Sequence, residues 1–124
     1  MGIYEAFFGI VLRAYNKERY ISKAIESVIA QTCQDWILYI VDDGSEDGTA
    51  DICDRFSKQD ERIHVIHQAN MGCVLATQNT VKAMDCAYVA LLDADDWYDP
   101  KYLESAKEMI SMGGRDHSKW THSI

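Results

Sequence analysis

A chain of 124 residues is long enough for one domain with a true core and short for a complete α/β enzyme. With 48% hydrophobic and 26% charged residues its composition is that of a folded globular chain, which argues against disorder. A formal net charge of −8 argues against a general nucleic-acid binder, which needs a basic face, but leaves room for a nucleotide whose charge a metal neutralises locally.

The first apolar run, Phe7–Leu12, reads as a buried strand. Asn16 then stands as the N-cap of a helix running to about Gln31, with Ile21, Ala24, Ile25, Val28 and Ile29 on one face. Trp36–Val41 is a second strand, apolar nearly throughout and therefore expected in the middle of a parallel sheet. The polar loop Asp42–Gly48 follows, and Thr49 is the expected N-cap of a second helix with Ile52, Cys53 and Phe56 facing inward. Arg62–His67 reads as a short edge strand. A loop holding Asn70 and Gly72 leads to a third helix, its inner face marked by Val74, Thr77, Val81 and Met84. Tyr88–Leu92 is a fourth strand. Asp99 and Pro100 then open a fourth helix with Leu103, Ala106 and Ile110 inward, ended by Gly113-Gly114.

Strands that alternate with helices mean βαβ crossovers and a mostly parallel α/β sheet. Ligands of such sheets bind beyond the carboxyl ends of the strands. Three loops leave those ends, Arg13–Asn16, Asp42–Gly48 and Asp93–Asp99, and the fold is expected to bring them to one site. The last is the most unusual: Asp93, Asp95, Asp96 and Asp99 fall within seven residues of an apolar strand. Two like charges about 6 Å apart at an effective dielectric near 20 repel by roughly 3 kcal/mol. A divalent cation removes that repulsion, and hard carboxylate oxygens suit Mg²⁺ or Mn²⁺.

Other motifs read more plainly. Cys33, Cys53, Cys73 and Cys86 form no CxxC pair and lie among apolar side chains, as reduced, mostly buried thiols do. His64 and His67, three apart on a strand, point to opposite faces and make no metal pair. The Asp42-Asp43-Gly44-Ser45 turn reads either as turn chemistry or as a nucleoside contact. Asp43, Ser45, Asp47, Gly48 and Asp54 match positions 1, 3, 5, 6 and 12 of a calcium loop, but a strand leads in and position 12 is not Glu. Trp97 and Tyr98 either stack over the site or anchor its loop to the core. No dinucleotide fingerprint follows the first strand, and no P-loop occurs. No run approaches the ~18 apolar residues of a membrane span, and the start lacks a basic signal-peptide region. The expected location is the cytoplasm, including the inner face of the cell membrane.

Taken in order, Ala14-Tyr15-Asn16, Gln31-Thr32, Val41 through Thr49, Ile66 through Gly72 and Leu91-Leu92-Asp93-Ala94-Asp95-Asp96-Trp97 resemble the family 2 glycosyltransferases. The resemblance covers roughly Gly9 to Lys107. It implies the glycosyltransferase A (GT-A) fold, a Rossmann-like α/β domain holding a nucleotide-diphosphate sugar, a UDP-sugar most commonly. Residues 1–112 would form that domain and 113–124 a polar tail. By the resemblance Tyr15 packs on the base and Asp43 hydrogen-bonds it. Asp93 and Asp95 are the DxD pair: Asp95 ligates Mn²⁺ or Mg²⁺ at the diphosphate, Asp93 contacts ribose or metal, and Asp96 supports them.

The reaction implied is inverting transfer of the sugar to an acceptor hydroxyl, on a polysaccharide or lipid-linked glycan. This chain contributes the donor and metal side. Three departures stand out. Arg13 replaces the usual Pro, Thr or Ser and crowds the base pocket. Thr77 replaces an arginine expected to meet the donor phosphates. The chain is also much shorter than family members, so the catalytic base is expected beyond it; Asp116, in the tail, is no candidate. The alternative readings are an incomplete nucleotide-sugar-binding fragment and a phosphatase of the haloacid dehalogenase type with Asp93 as nucleophile. A face left bare by the shortness would favour self-association.

Overall fold

The computed structural model describes residues 5–70 and 72–113. Four strands, β1 (Ala6–Ala14), β2 (Trp36–Asp42), β3 (Ile63–His67) and β4 (Cys86–Asp93), alternate with helices α1 (Ile21–Ile29), α2 (Thr49–Gln59), α3 (Cys73–Ala83) and α4 (Tyr102–Gly113). Every pairing among the described strands is parallel, in the order β3-β2-β1-β4. The topology therefore reverses at β1, with β2 and β3 on one side and β4 on the other.

β1 lies in the middle because both its faces are apolar: Phe8, Ile10, Val11 and Leu12 are fully buried. Its even-numbered residues join Trp36, Leu38 and Ile40 of β2 and Ala90 and Leu92 of β4 under α1, α2 and α4, through Ile21, Ile25, Val28, Cys53, Leu103 and Ala106. On the opposite face Val11, Ile37, Val41 and Val89 pack under α3 with Val81 and Met84. Gly9 gives Met84 its seat, since a Cβ there would lie 2.7 Å from the Met84 methyl carbon.

The expected strands and helices are all present, each strand a residue or two off, and β3 is the edge strand. The expected capping of α1 is not. Asn16 adopts a positive φ of 50°, and its Oδ1 accepts the Glu46 N–H at 2.7 Å. The side chain is spent across the cleft mouth, and α1 starts at Ile21 with no side-chain cap. Thr49 is the first residue of α2, not its cap; the Thr49 N–H donates to Asp47 Oδ1 at 2.9 Å. Val74 and Leu75 are 70% and 62% exposed, because the first turn of α3 begins at the carboxyl edge of the sheet. Thr77, Thr80, Val81 and Met84 form its inner face.

Cys53 and Cys86 are buried and Cys33 half-buried, all as free thiols, and burial pushes the Cys53 thiol up to about 12. Among the described residues no helix is long and apolar enough to cross a membrane. The expected polar tail, with Asp116, and the chain start lie outside the described residues, as does the side chain of Cys73.

Candidate functional site

The parallel register ends β1, β2 and β4 at one level: Ala14 pairs with Asp42, and Arg13 with Asp93. Backbone bonds then stitch the departing loops together. The Asp43 N–H donates to Ala14 O at 2.9 Å and the Ala94 N–H to Arg13 O at 3.1 Å. The Asn16 N–H donates to Ser45 Oγ at 3.0 Å and the Lys17 N–H to Thr49 Oγ1 at 2.9 Å. The three loops therefore converge, as the sheet topology requires.

Between the ends of β1 and β4 lies an open cleft of about 510 Å³, lined by Arg13, Ala14, Tyr15, Lys17, Asp93, Ala94 and Asp95. It falls in the size range of small-ligand sites. Tyr15 is 38% exposed, so a ring face is available to a ligand. The acids are not bare. Arg13 Nη2 lies 2.5 Å from Asp93 Oδ1, and Lys17 Nζ lies 3.7 Å from Asp95 Oδ2. Repulsion between the two carboxylates is thus relieved by the chain's own bases, and Arg13 turns onto Asp93. Asp96 is half-buried and closes the turn with its N–H on Asp93 O at 3.0 Å.

Asp43 is placed apart from that lining. It is 5% exposed, with Oδ1 accepting from Gln68 Nε2 at 2.7 Å and Oδ2 from the Gly72 N–H at 3.0 Å, which ties the β3–α3 loop to the end of β2. Asp42 is 2% exposed and structural: Oδ1 accepts the Ser45 N–H, and Oδ2 meets His67 Nδ1 at 2.8 Å. His67 Nε2 meets Asp54 Oδ1 at 2.9 Å, and hydrogen bonds to Asp42 and then Asp54 raise the imidazole above its usual range. The carboxylates of the apparent calcium loop are thus turned to separate tasks: Asp43 to Gln68, Asp47 to α2, Asp54 to His67. His64 stacks on Tyr39 across the sheet from His67's partners, so the two histidines do not meet.

Of the two aromatic residues after the acids, Tyr98 is the anchor. It is 2% exposed, its hydroxyl donates to Leu91 O at 2.8 Å, its N–H donates to Ser27 Oγ, and its ring stacks on Tyr102. Trp97 is 51% exposed with Lys23 Nζ 3.6 Å from its ring centroid. Gln31 completes the support. This 1%-exposed amide donates to Ser27 O and Asp99 O and accepts the Leu103 N–H, joining α1 to the start of α4. Its signal in the sequence is a polar residue three past Val28 on the apolar stripe. Lys17, by contrast, carried none.

Among the described residues no three His, Cys, Asp or Glu side chains are grouped to hold a metal. Two carboxylates lining one cleft nevertheless fit Mg²⁺ or Mn²⁺, which binds through one or two carboxylates completed by substrate phosphates and water.

An open parallel sheet with an acidic-basic cleft at its topological reversal defines an α/β domain of the doubly wound kind, and solved structures give it the GT-A fold. Staphylococcus aureus TarS in complex with UDP-GlcNAc superposes with a TM-score of 0.78 at 24% identity, over 86% of this chain and 31% of that one. The mannosyltransferase PcManGT from Pyrobaculum calidifontis, in complex with GDP-Man and Mn²⁺, gives 0.76 at 18% identity, over 87% and 33%. The Glycosyl transferase family 2 model matches residues 9–118. Glycosyltransferase GlyA of Streptococcus pneumoniae is 36% identical over 101 residues, 82% of this chain and 14% of GlyA. The chain belongs to glycosyltransferase family 2. It spans only a minor part of the length of these relatives.

Proposed function

We propose that this chain is the donor-binding portion of an inverting family 2 glycosyltransferase, holding a UDP-sugar in the cleft between β1 and β4. The observation that carries the reading is the register that brings Tyr15, Asp93 and Asp95 to one cleft at the reversal of the sheet. Complexes of TarS with UDP-GlcNAc and of PcManGT with GDP-Man and Mn²⁺ support a nucleotide-sugar ligand on this fold.

In this reading Tyr15 presents its ring to the base. Asp43, just past the end of β2, is the acceptor for a base N–H. Asp93 and Asp95 would hold Mn²⁺ or Mg²⁺, with Asp96 and Tyr98 fixing the loop that presents them. A cation held there would supply electrostatic stabilisation for the negative charge of a departing nucleoside diphosphate. The base that deprotonates the acceptor hydroxyl is supplied from outside these residues.

Calorimetric titration of UDP with and without Mn²⁺, on the wild type and Asp95→Ala, tests the assignment. Metal-dependent binding lost in the variant supports it. Equal binding by the two proteins, or none by the wild type, overturns it.

A further inference from the structure

The donor cleft is electrically neutral as it stands. Its charged lining consists of two bases, Arg13 and Lys17, and two acids, Asp93 and Asp95, already joined as two pairs. Among the described residues lining this cleft, a diphosphate meets no uncommitted cation. If the bases alone turned to the phosphates, both carboxylates would be left unpaired beside further negative charge, which opposes binding. If the acids alone took a divalent cation, two positive side chains would be left without partners. Only the joint exchange closes the charge balance.

We infer that Arg13 and Lys17 are exchangeable counter-ions of the donor cleft: they pair with Asp93 and Asp95 in the empty site and turn to the diphosphate oxygens once those acids take the divalent cation. This rests on the donor-site reading and deepens it by naming the phosphate-binding residues. The geometry is suited to the exchange. Arg13 is the penultimate residue of central strand β1, directly in register with Asp93, so its fork needs only a side-chain rotation. Its Nε is buried with no hydrogen-bond partner among the described residues, leaving donor capacity for an incoming oxygen. Lys17 has its backbone fixed on Thr49 Oγ1, whereas its flexible side chain is 40% exposed.

Exchange makes two opposite demands on the same residue. As competitors of the cation, Arg13 and Lys17 weaken its binding to the empty protein; as phosphate ligands, they strengthen nucleotide binding to the loaded protein. The test measures both on the 124-residue chain. Free Mn²⁺ is titrated by electron paramagnetic resonance without nucleotide, and UDP by calorimetry at saturating Mn²⁺. The proteins are wild type, Arg13→Gln, Lys17→Gln, and Lys58→Gln as a charge-matched control on the exposed face of α2.

Arg13→Gln is expected to tighten Mn²⁺ by about 3- to 10-fold, the strength of a partly exposed charge-assisted pair. It should also weaken UDP by about 10-fold or more. Lys17→Gln moves both constants in the same directions by less, and Lys58→Gln moves neither. Loss of both affinities together in Arg13→Gln and Lys17→Gln assigns them a structural role and overturns the inference, as does tightened Mn²⁺ with unchanged UDP. If Arg13→Gln lacks a cooperative thermal transition, Lys17→Gln decides alone. Absence of Mn²⁺ and UDP binding in the wild type overturns the donor-site reading and this inference with it. Wild-type binding with unchanged variants overturns the inference alone.

Discussion

His67 on edge strand β3 places Nδ1 2.8 Å from the buried carboxylate of Asp42 on β2, while its Nε2 lies 2.9 Å from Asp54 on α2. Both ring nitrogens face acids, so the doubly protonated imidazole is the form that satisfies both. The folded-state value is raised by these bonds. The resulting stability is therefore complete below the unfolded value, near pH 6.5, and is lost as pH rises through the higher folded value. Because the ring is 44% exposed, the loss should be about 1 kcal/mol or less. Urea midpoints at pH 6 and pH 9 check it: the wild type should be less stable at the higher pH, and His67→Gln should lack that component.

Gln31, 1% exposed, joins three backbone groups from within the core. Gln31→Ala leaves the Leu103 N–H without its acceptor and the Asp99 carbonyl with the Tyr102 N–H alone, and should cost about 1–3 kcal/mol. Gln31→Glu keeps an acceptor for Leu103 but turns a carboxylate onto two carbonyls. It should destabilise more at pH 7 than at pH 4, which chemical denaturation at the two pH values measures.

Gly44 and Gly72 both have positive φ, 75° and 91°, but differ in surroundings. A Cβ on Gly44 would lie 2.8 Å from the backbone nitrogen of Asn70, whereas one on Gly72 meets nothing within 4 Å among the described residues. Gly72→Ala should therefore cost only the backbone term, about 1 kcal/mol. Gly44→Ala should cost about 2 kcal/mol or more, because two loops must also part. Thermal melts of the two variants give the order directly.

Tyr98→Phe removes one hydroxyl, the donor to Leu91 O, and should cost about 1 kcal/mol. Tyr98→Ala also empties a fully packed site against Tyr102 and should cost about 3–5 kcal/mol. If the ring holds the acidic loop in place, the alanine variant should lose UDP affinity out of proportion to the phenylalanine variant. Binding assayed well below each melting transition separates the two effects.

The fold was legible because its signals are local. The apolar runs of β1, β2 and β4 and the stripe Ile21–Val28 carry their own periodicity, and strand-helix alternation limits how they join. Asp93 and Asp95 stood out because acids directly after a buried strand have few uses. What escaped depends on partners far along the chain. Asn16 looks like a cap until Glu46, 30 residues on, takes its side chain. Arg13 looks like an obstruction until the β1–β4 register sets it against Asp93, 80 residues away. The α3 face misled because Val74 has the right spacing but begins the helix at the edge of the sheet, and hydrophobic period does not report where a strand ends.

In the proposed function a nucleotide and a divalent cation meet in the cleft between β1 and β4. Paramagnetic broadening of backbone amide signals by Mn²⁺ in the presence of UDP locates that meeting residue by residue. The account predicts selective loss of signals from Arg13 to Lys17 and from Asp93 to Asp96, with the Asp47–Asp54 stretch far less affected. Broadening centred on Asp47–Asp54, or spread evenly over the acidic surface, would contradict it.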